Sequence, residues 1–401
     1  MKIILFRILL ALIFPIIDFL FYQFLINRHK KLNNKYFKIS YWTFCILLYL
    51  NSLFFTIYRN YNFRLNFWEV FQVIVVIMIL NYFLKFIYLL TELLFYPFSI
   101  LKKKNACLRR LKYAKIITQI ILTAVFTSII FHGIFYGRFD FKLKVYELKF
   151  YNLPQEFNNY KIVHISDLHL ESFRNNQDKL KESIDIINDL NPDIIVFTGD
   201  LVSNLTAEAF GFENILSQLN AKDGVFAVTG NHDYGTYVKW SDDKLKEQNF
   251  NQLKDFYSKI NWNLLLNENI QIKRNTSKLV IAGIESSGKP PFGGNADINH
   301  ALMNTREEDF VVLLSHDPSY WKLEILKYKN IMLTLSGHTH SMQIACCNNK
   351  YSPSALVYKE WYGEYMFENK FLIISNGLGT ILMPLRIGAH PEIGLITLQC
   401  K

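Results

Sequence analysis

The sequence predicts an α/β chain in two parts: an all-α transmembrane region of about four helices, then a layered domain in which buried strands alternate with amphipathic helices. Three observations predict it. Four apolar stretches fill the first 140 residues, and six short β-rich runs follow from about residue 145 onward. Five of those six runs end alike, in a Ser or Thr followed within a few residues by Asp or His.

The apolar stretches lie at roughly 3–27, 40–58, 70–99 and 116–136. Each reaches the ~18 to 20 residues that a helix needs to cross a bilayer. The first is longer than the apolar region of a secretory signal, is rich in Phe and Ile, and lacks a small-residue cleavage site, so it is expected to stay as a span. Within it, Arg7 is expected to snorkel to the interface and Asp18 to face a neighbouring helix, in preference to a transport role.

Charge divides along the same line. Residues 1–150 carry 21 Lys/Arg against 5 Asp/Glu, a net of +16, whereas residues 151–401 carry 23 against 29, a net of −6. The positive charge sits in short clusters between apolar runs, which reads as membrane topology and not as a nucleic-acid footprint, so no nucleic-acid partner is expected. Arg28, Lys30, Lys31, Lys35 and Lys38 follow the first span, only Arg59 and Arg64 the second, and Lys102, Lys103, Lys104, Arg109, Arg110, Lys112 and Lys115 the third. Loops one and three are therefore expected inside, and everything after residue 137 on the extracytoplasmic face. The five cysteines (Cys45, Cys107, Cys346, Cys347, Cys400) make no CxxC spacing, and no disulfide framework or zinc ribbon is indicated.

In the second part the expected strands are 161–166, 193–198, 224–229, 310–315, 331–336 and 370–375. Between them lie helical patterns such as "QDKLKESIDIINDL" (177–190), which repeats Leu and Ile at helical spacing and stops before Pro192. The domain boundaries follow: a transmembrane region over 1–140 and a soluble domain over 145–401.

The shared strand endings carry the chemistry. They are "SDLH" with Asp167 and His169, "TGD" with Asp200, "TGNHD" with Asn231, His232 and Asp233, "SHD" with His316 and Asp317, and "SGHTH" with His338 and His340. Ligands bind at the carboxyl ends of strands in open α/β sheets, so these loops should converge. Five of the ten histidines lie in these endings; His29, His132, His164, His300 and His390 are expected to be structural. Asp, Asn and His without thiolate form a hard-to-intermediate ligand set that suits Mn, Fe, Zn or Co, with manganese favoured, and argues against structural zinc. A carboxylate with no local cation can bridge two ions, and two such metals clamp a phosphoryl group and turn a bridging water into hydroxide.

The ordered set D-x-H, G-D, G-N-H-D, isolated H and G-H-x-H resembles the calcineurin-like metallophosphoesterase superfamily. It is most similar to the membrane-attached branch that includes bacterial phosphodiesterases and UDP-2,3-diacylglucosamine pyrophosphatase-like enzymes. The resemblance covers about 145–400 and implies a four-layer αββα sandwich. By position it also implies that Asp167, His169 and His340 hold one divalent metal ion, that Asn231, His316 and His338 hold the other, and that Asp200 bridges them. His232 matches the position that contacts the substrate phosphate and protonates the leaving oxygen. Asp233 and Asp317 are expected to support the ligands or cap loops.

Two departures stand out. Many relatives read G-D-x-x-D, with the last Asp pairing the catalytic His; here Ser203 occupies that place. Relatives of this branch often continue "GHTHGGQ", whereas this chain has Ser341 and Met342 and keeps Gln343. In the tail, Asn376, Gly377 and Gly379 fit either a loop beside the metals or ordinary turn chemistry. "AGIESSG" (282–288) is a weak pointer to substrate contacts.

The expected activity is hydrolysis of a phosphomonoester, phosphodiester or pyrophosphate with inversion at phosphorus. The substrate is expected to be a phosphorylated small molecule or, by preference, a lipid-linked or membrane-proximal phosphate. Two rivals stand beside it: a membrane sensor or scaffold that binds a ligand without turnover, and a regulatory domain on a transport unit. The second is disfavoured because Asp18, Glu69, Lys85 and Glu92 are the few charges available to the spans. Nothing in the sequence sets an oligomeric state.

Overall fold

The structure, a computed structural model, describes residues 2–57, 61–100, 105–287 and 294–401. Arg59, Lys102, Lys103, Lys104 and Gly288 fall outside the described residues, as do the side chains of Arg7, Arg64 and Cys107.

Two compact units form. The first is built from helices α1 (Lys2–Arg28), α2 (Lys35–Ile57), most of α3 (Tyr61–Ile100) and α4 (Asn105–Phe135). Among the described residues, Glu69–Phe98 and Leu108–Phe139 are long and apolar enough to cross a membrane. Their apolar side chains face outward, with Leu93 exposed by 69% and Ile120 by 62%. A soluble helix buries such a surface; lipid contact removes the cost of leaving it uncovered. The inward charges are paired. Lys85 Nζ lies 2.7 Å from Asp18 Oδ1, and the Tyr82 hydroxyl donates to Asp18 Oδ2 at 3.2 Å. Asp18 does face a neighbouring helix, as its place in an apolar run demands.

The second unit runs chiefly from Gly133 to the end. Its strands are β1 (Lys142–Phe150), β2 (Tyr160–Ile165), β3 (Ile194–Phe197), β4 (Val225–Ala227), β5 (Asn263–Leu264), β6 (Glu268–Arg274), β7 (Ser277–Gly283), β8 (Phe310–Leu314), β9 (Ile331–Ser336), β10 (Gly363–Phe367), β11 (Lys370–Ile374) and β12 (Glu392–Cys400). They form two six-stranded sheets, ordered β1-β12-β2-β3-β4-β5 and β10-β11-β9-β8-β7-β6. The helices are α5 (Gln177–Asp189), α6 (Glu213–Leu216), α7 (Asp243–Lys259), α8 (Ile298–Ala301) and α9 (Ser319–Leu323).

Strand alternation makes the layers. On β2, Ile162 faces the other sheet, in a core with Ile281, Val312 and Leu333, while Val163 and Ile165 face α5 and α7 through Leu180, Ile184 and Leu253. On β8, Phe310, Val312 and Leu314 join the core between the sheets, and Val311 and Leu313 pack under α8 and α9 with Ile298 and Trp321. Both sheets are covered on both faces, so their central strands read as continuous apolar runs. The result is the four-layer αββα sandwich. The six expected strands form within a residue or two of their predicted limits, and the helix expected at 177–190 spans Gln177–Asp189.

Candidate metal centre

The parallel strands β2, β3 and β4 of one sheet and β8 and β9 of the other end at the same edge of the sandwich, and the chain turns sharply after them. Asp167 (φ 51°), His169 (φ 42°), Asp200 (φ 59°), His338 (φ 75°) and His340 (φ 49°) all adopt left-handed backbone. That conformation is unusual away from glycine, and its concentration here marks loops held by their surroundings. The glycines of "GNHD" and "GHTH" have a steric cause. A Cβ on Gly230 would stand 2.2 Å from Asp200 Oδ1, and one on Gly337 would stand 2.1 Å from Asp167 Oδ2.

The structure brings all eight sequence-predicted site residues into one cluster. His169 Nε2 and His340 Nε2 stand 3.1 Å apart, and His340 Nε2 is 3.0 Å from Asp167 Oδ1. On the other side, His316 Nε2 is 3.2 Å from Asn231 Oδ1 and 3.2 Å from His338 Nδ1. Asp200 Oδ2 lies between the groups, 3.2 Å from His316 Nε2 and 3.8 Å from His169 Nε2. Asp200 Oδ1 accepts the backbone N–H of His232 at 2.8 Å. Asp167, His169 and His340 each offer one ligand atom, all within 4.8 Å of one another, and so do Asp200, His316 and His338. Each set could hold a divalent ion.

The electrostatics fit a cationic guest. Burial holds His169 well below the usual imidazole range, and it lowers His338 and His232 too. His316 goes the other way: burial opposes its charge, but Asp200 and Asp167 push it up to about 10. Without a metal, a proton on His316 neutralises the carboxylates that a metal would otherwise satisfy.

The outer contacts fix which ring nitrogen faces the centre. His316 Nδ1–H donates to the Thr198 carbonyl at 2.8 Å, leaving Nε2 for a ligand bond. With Nε2 turned to Asp200, His169 Nδ1 meets Ser203 Oγ at 3.2 Å. The Tyr358 hydroxyl lies 3.0 Å from His338 Nε2, which leaves Nδ1 inward. Asn231 Nδ2 donates to the Tyr237 hydroxyl at 2.8 Å, so its carbonyl oxygen points at the centre. His340 differs, because its Nδ1 faces an Arg386 guanidinium nitrogen at 3.3 Å.

Asp233 accepts the backbone N–H groups of Gly230, Asp200 and Leu201 at 2.8, 3.0 and 2.9 Å, tying two ligand loops together. Asp317 accepts the Ser319 N–H at 2.9 Å and holds the turn into α9. Gln343 donates to the carbonyls of Met383 and Leu385, and Asn376 accepts from Ser341, so both brace loops. Gly377 (φ 72°) and Gly379 pack against the Asp167 loop, where a Cβ would meet Asp167 Cβ at 2.6 Å or Leu168 O at 1.9 Å. Of the "AGIESSG" segment, Glu285 accepts the Tyr234 hydroxyl at 2.7 Å. Of the histidines set aside, His164 Nε2 meets Thr198 Oγ1 at 2.9 Å and His300 Nδ1 the Asn267 carbonyl at 2.9 Å.

The calcineurin-like phosphoesterase family profile matches residues 160–342. An uncharacterized metallophosphoesterase of Aquifex aeolicus is 30% identical over 263 residues, covering 65% of this chain and 92% of that protein. The chain belongs to the calcineurin-like phosphoesterase family. As a metallophosphoesterase it is a hydrolase of phosphoric esters, in a family that uses divalent metals. A Danio rerio "transmembrane protein with metallophosphoesterase domain" is 26% identical over 287 residues, 70% of this chain and 63% of that protein. This chain likewise carries two helices long and apolar enough to cross a membrane among its described residues. A Chlamydia muridarum UDP-2,3-diacylglucosamine pyrophosphatase is 42% identical over 93 residues, 22% of this chain and 28% of that protein.

Proposed function

We propose that residues 145–401 hydrolyse a phosphoric ester or pyrophosphate bond at a centre holding two divalent ions, manganese by preference, while residues 1–140 keep that centre at the membrane. The observation that carries this reading is the approach of His169 Nε2 to His340 Nε2 at 3.1 Å, with Asp167 and Asp200 carboxylates beside them. Two imidazole nitrogens stand so close only around a shared hydrogen or a cation.

In this reading Asp167, His169 and His340 would hold one ion and Asn231, His316 and His338 the other, with the Asp200 carboxylate placed between the two groups. Bound ions supply Lewis acidity to the phosphoryl oxygens and lower the pKa of water. The chain does the rest. His232 donates Nδ1–H to the Ser203 carbonyl at 2.6 Å, which leaves Nε2 to handle the proton of the leaving oxygen. The Tyr237 ring stacks on it at 4.3 Å and limits its rotation. An Asp at position 203 is therefore not needed to orient His232, and its replacement by Ser ceases to favour a ligand-binding role without turnover.

A lipid-linked substrate is supported by two things: apolar helices in the same chain and the stretch shared with the chlamydial pyrophosphatase. The charge distribution along the first 140 residues favours an extracytoplasmic active site. The test is a substrate panel for the full-length protein in mixed micelles. A diacyl-sugar pyrophosphate should be turned over at least about tenfold more efficiently than soluble diesters and monoesters; equal or lower efficiency would reject the lipid assignment.

A further inference from the structure

The helical unit holds a cavity of about 560 Å³ where α1 finishes and α4 begins. Arg28, Lys112 and Lys115 line it, with Glu92 as the one carboxylate. Arg28 Nη1 lies 2.9 Å from Glu92 Oε2, and Lys115 Nζ lies 2.7 Å from Glu92 Oε1. Glu92 is thus shared by two cations. Lys112, three residues before Lys115 and on the same face of α4, has no counter-ion among the described residues. The cavity carries a surplus of two positive charges.

Its walls are mostly apolar. Phe24 of α1, Phe95 of α3, and Leu108 and Leu111 of α4 supply the apolar lining, and Asn27 and Tyr96 complete it. Next to it, α3 presents Leu93 and Leu94 outward, exposed by 69% and 55%. Unbalanced cations among apolar helices are costly unless an anion joins them, and a guanidinium beside ammonium groups matches phosphate oxygens in shape and charge. We propose that this cavity binds an anionic phospholipid, its headgroup phosphate held by Lys112, Arg28 and Lys115 and an acyl chain lying against Phe95 and Leu108. Free phosphate meets the same cations but leaves the apolar walls uncovered, so the lipid-borne phosphate is the ligand assigned. The site uses none of the metal-centre residues and stands or falls apart from the hydrolytic reading.

Native mass spectrometry of the full-length protein in detergent tests it, with phosphatidylglycerol, phosphatidylcholine of the same acyl chains, and inorganic phosphate as probes. Phosphatidylglycerol should stay bound about 25-fold more than phosphatidylcholine, for two surplus charges at about fivefold each. Lys112→Ala should lower phosphatidylglycerol retention about fivefold and leave phosphatidylcholine unchanged, while Lys112→Arg should keep wild-type retention. Lys112 is exposed, so neither change threatens the bundle. Equal retention of the two lipids, or wild-type phosphatidylglycerol binding by Lys112→Ala, would overturn the proposal. Inorganic phosphate bound as tightly as phosphatidylglycerol would overturn the lipid assignment.

Discussion

The Nδ1 nitrogen of His232 lies 2.6 Å from the backbone carbonyl oxygen of Ser203, so a main-chain acceptor orients the imidazole that a carboxylate orients in relatives reading G-D-x-x-D. That carbonyl is itself held in place. The buried Glu208 carboxylate accepts the N–H groups of Ser203, Asn204 and Leu205 at 2.6, 2.9 and 3.1 Å, shaping the turn that aims it.

A change at the Ser203 side chain should therefore spare His232. His232→Asn is expected to lower kcat by about 10² to 10⁴. Ser203→Ala keeps the carbonyl and loses only the contact of Oγ with His169, so kcat should fall by no more than about tenfold, through metal affinity. The acid limb of the pH profile should stay where it is. A Ser203→Ala protein as inactive as His232→Asn would show that the side chain, not the carbonyl, is what matters.

The two ligand groups should empty separately. Elemental analysis after reloading a chelator-stripped protein should find two ions per chain in the wild type and about one in His169→Ala. Tyr358→Phe removes the hydroxyl beside His338 Nε2 and should weaken the other ion alone, by about 10- to 100-fold. Parallel loss of both ions in either variant would argue for one coupled site.

Glu392 gives a pH dependence of stability. Burial pushes its carboxyl up to about 7, from 4.5 when exposed. The folded state then binds this proton more tightly than the unfolded state. Its stabilising contribution is complete below about pH 4.5 and is lost as the pH rises through about 7, by about 3 kcal/mol in all. Glu392→Gln, which stays neutral, should abolish that decline. Denaturation curves of the two proteins in the same detergent and excess metal should converge at pH 5 and separate at pH 8; a constant separation across the range would refute the assignment.

The Asp18–Lys85 pair distinguishes a structural bundle from a transport path. Lys85→Met alone leaves a buried carboxylate unpaired and should cost about 3 to 5 kcal/mol, whereas Asp18→Leu with Lys85→Met should recover most of it. A double variant that stays as unstable as the single one would point to a role beyond charge balance.

Much of this was legible in the sequence because local patterning and tertiary demand agree. Strands covered on both faces must be apolar throughout, so β2, β3, β8 and β9 stood out as uninterrupted runs, and their endings placed the candidate ligands. β1 escaped because it is an edge strand whose first four residues are exposed, and its alternating "KLKVYELKF" resembles a polar connection. Arg386 escaped for another reason. The residue is only 1% exposed, and its guanidinium donates to the carbonyls of Gly379, Ala389 and Asn376 beneath the His340 loop, yet those partners are scattered acceptors that leave no spacing to read. Tyr237 and Tyr358 likewise act through single hydroxyls at the far nitrogen of a ligand, where the motif specifies nothing.

The most direct test of the central claim is hydrolysis of a chromogenic phosphodiester and monoester by the full-length protein, stripped with chelator and reloaded with Mn²⁺, beside an Asp200→Asn control. The stripped protein should show no turnover, recovery should saturate at two ions per chain, and Asp200→Asn should lose at least about 10²-fold. Full loading with two ions and no turnover of any ester or pyrophosphate, or turnover that survives both chelation and Asp200→Asn, would contradict it.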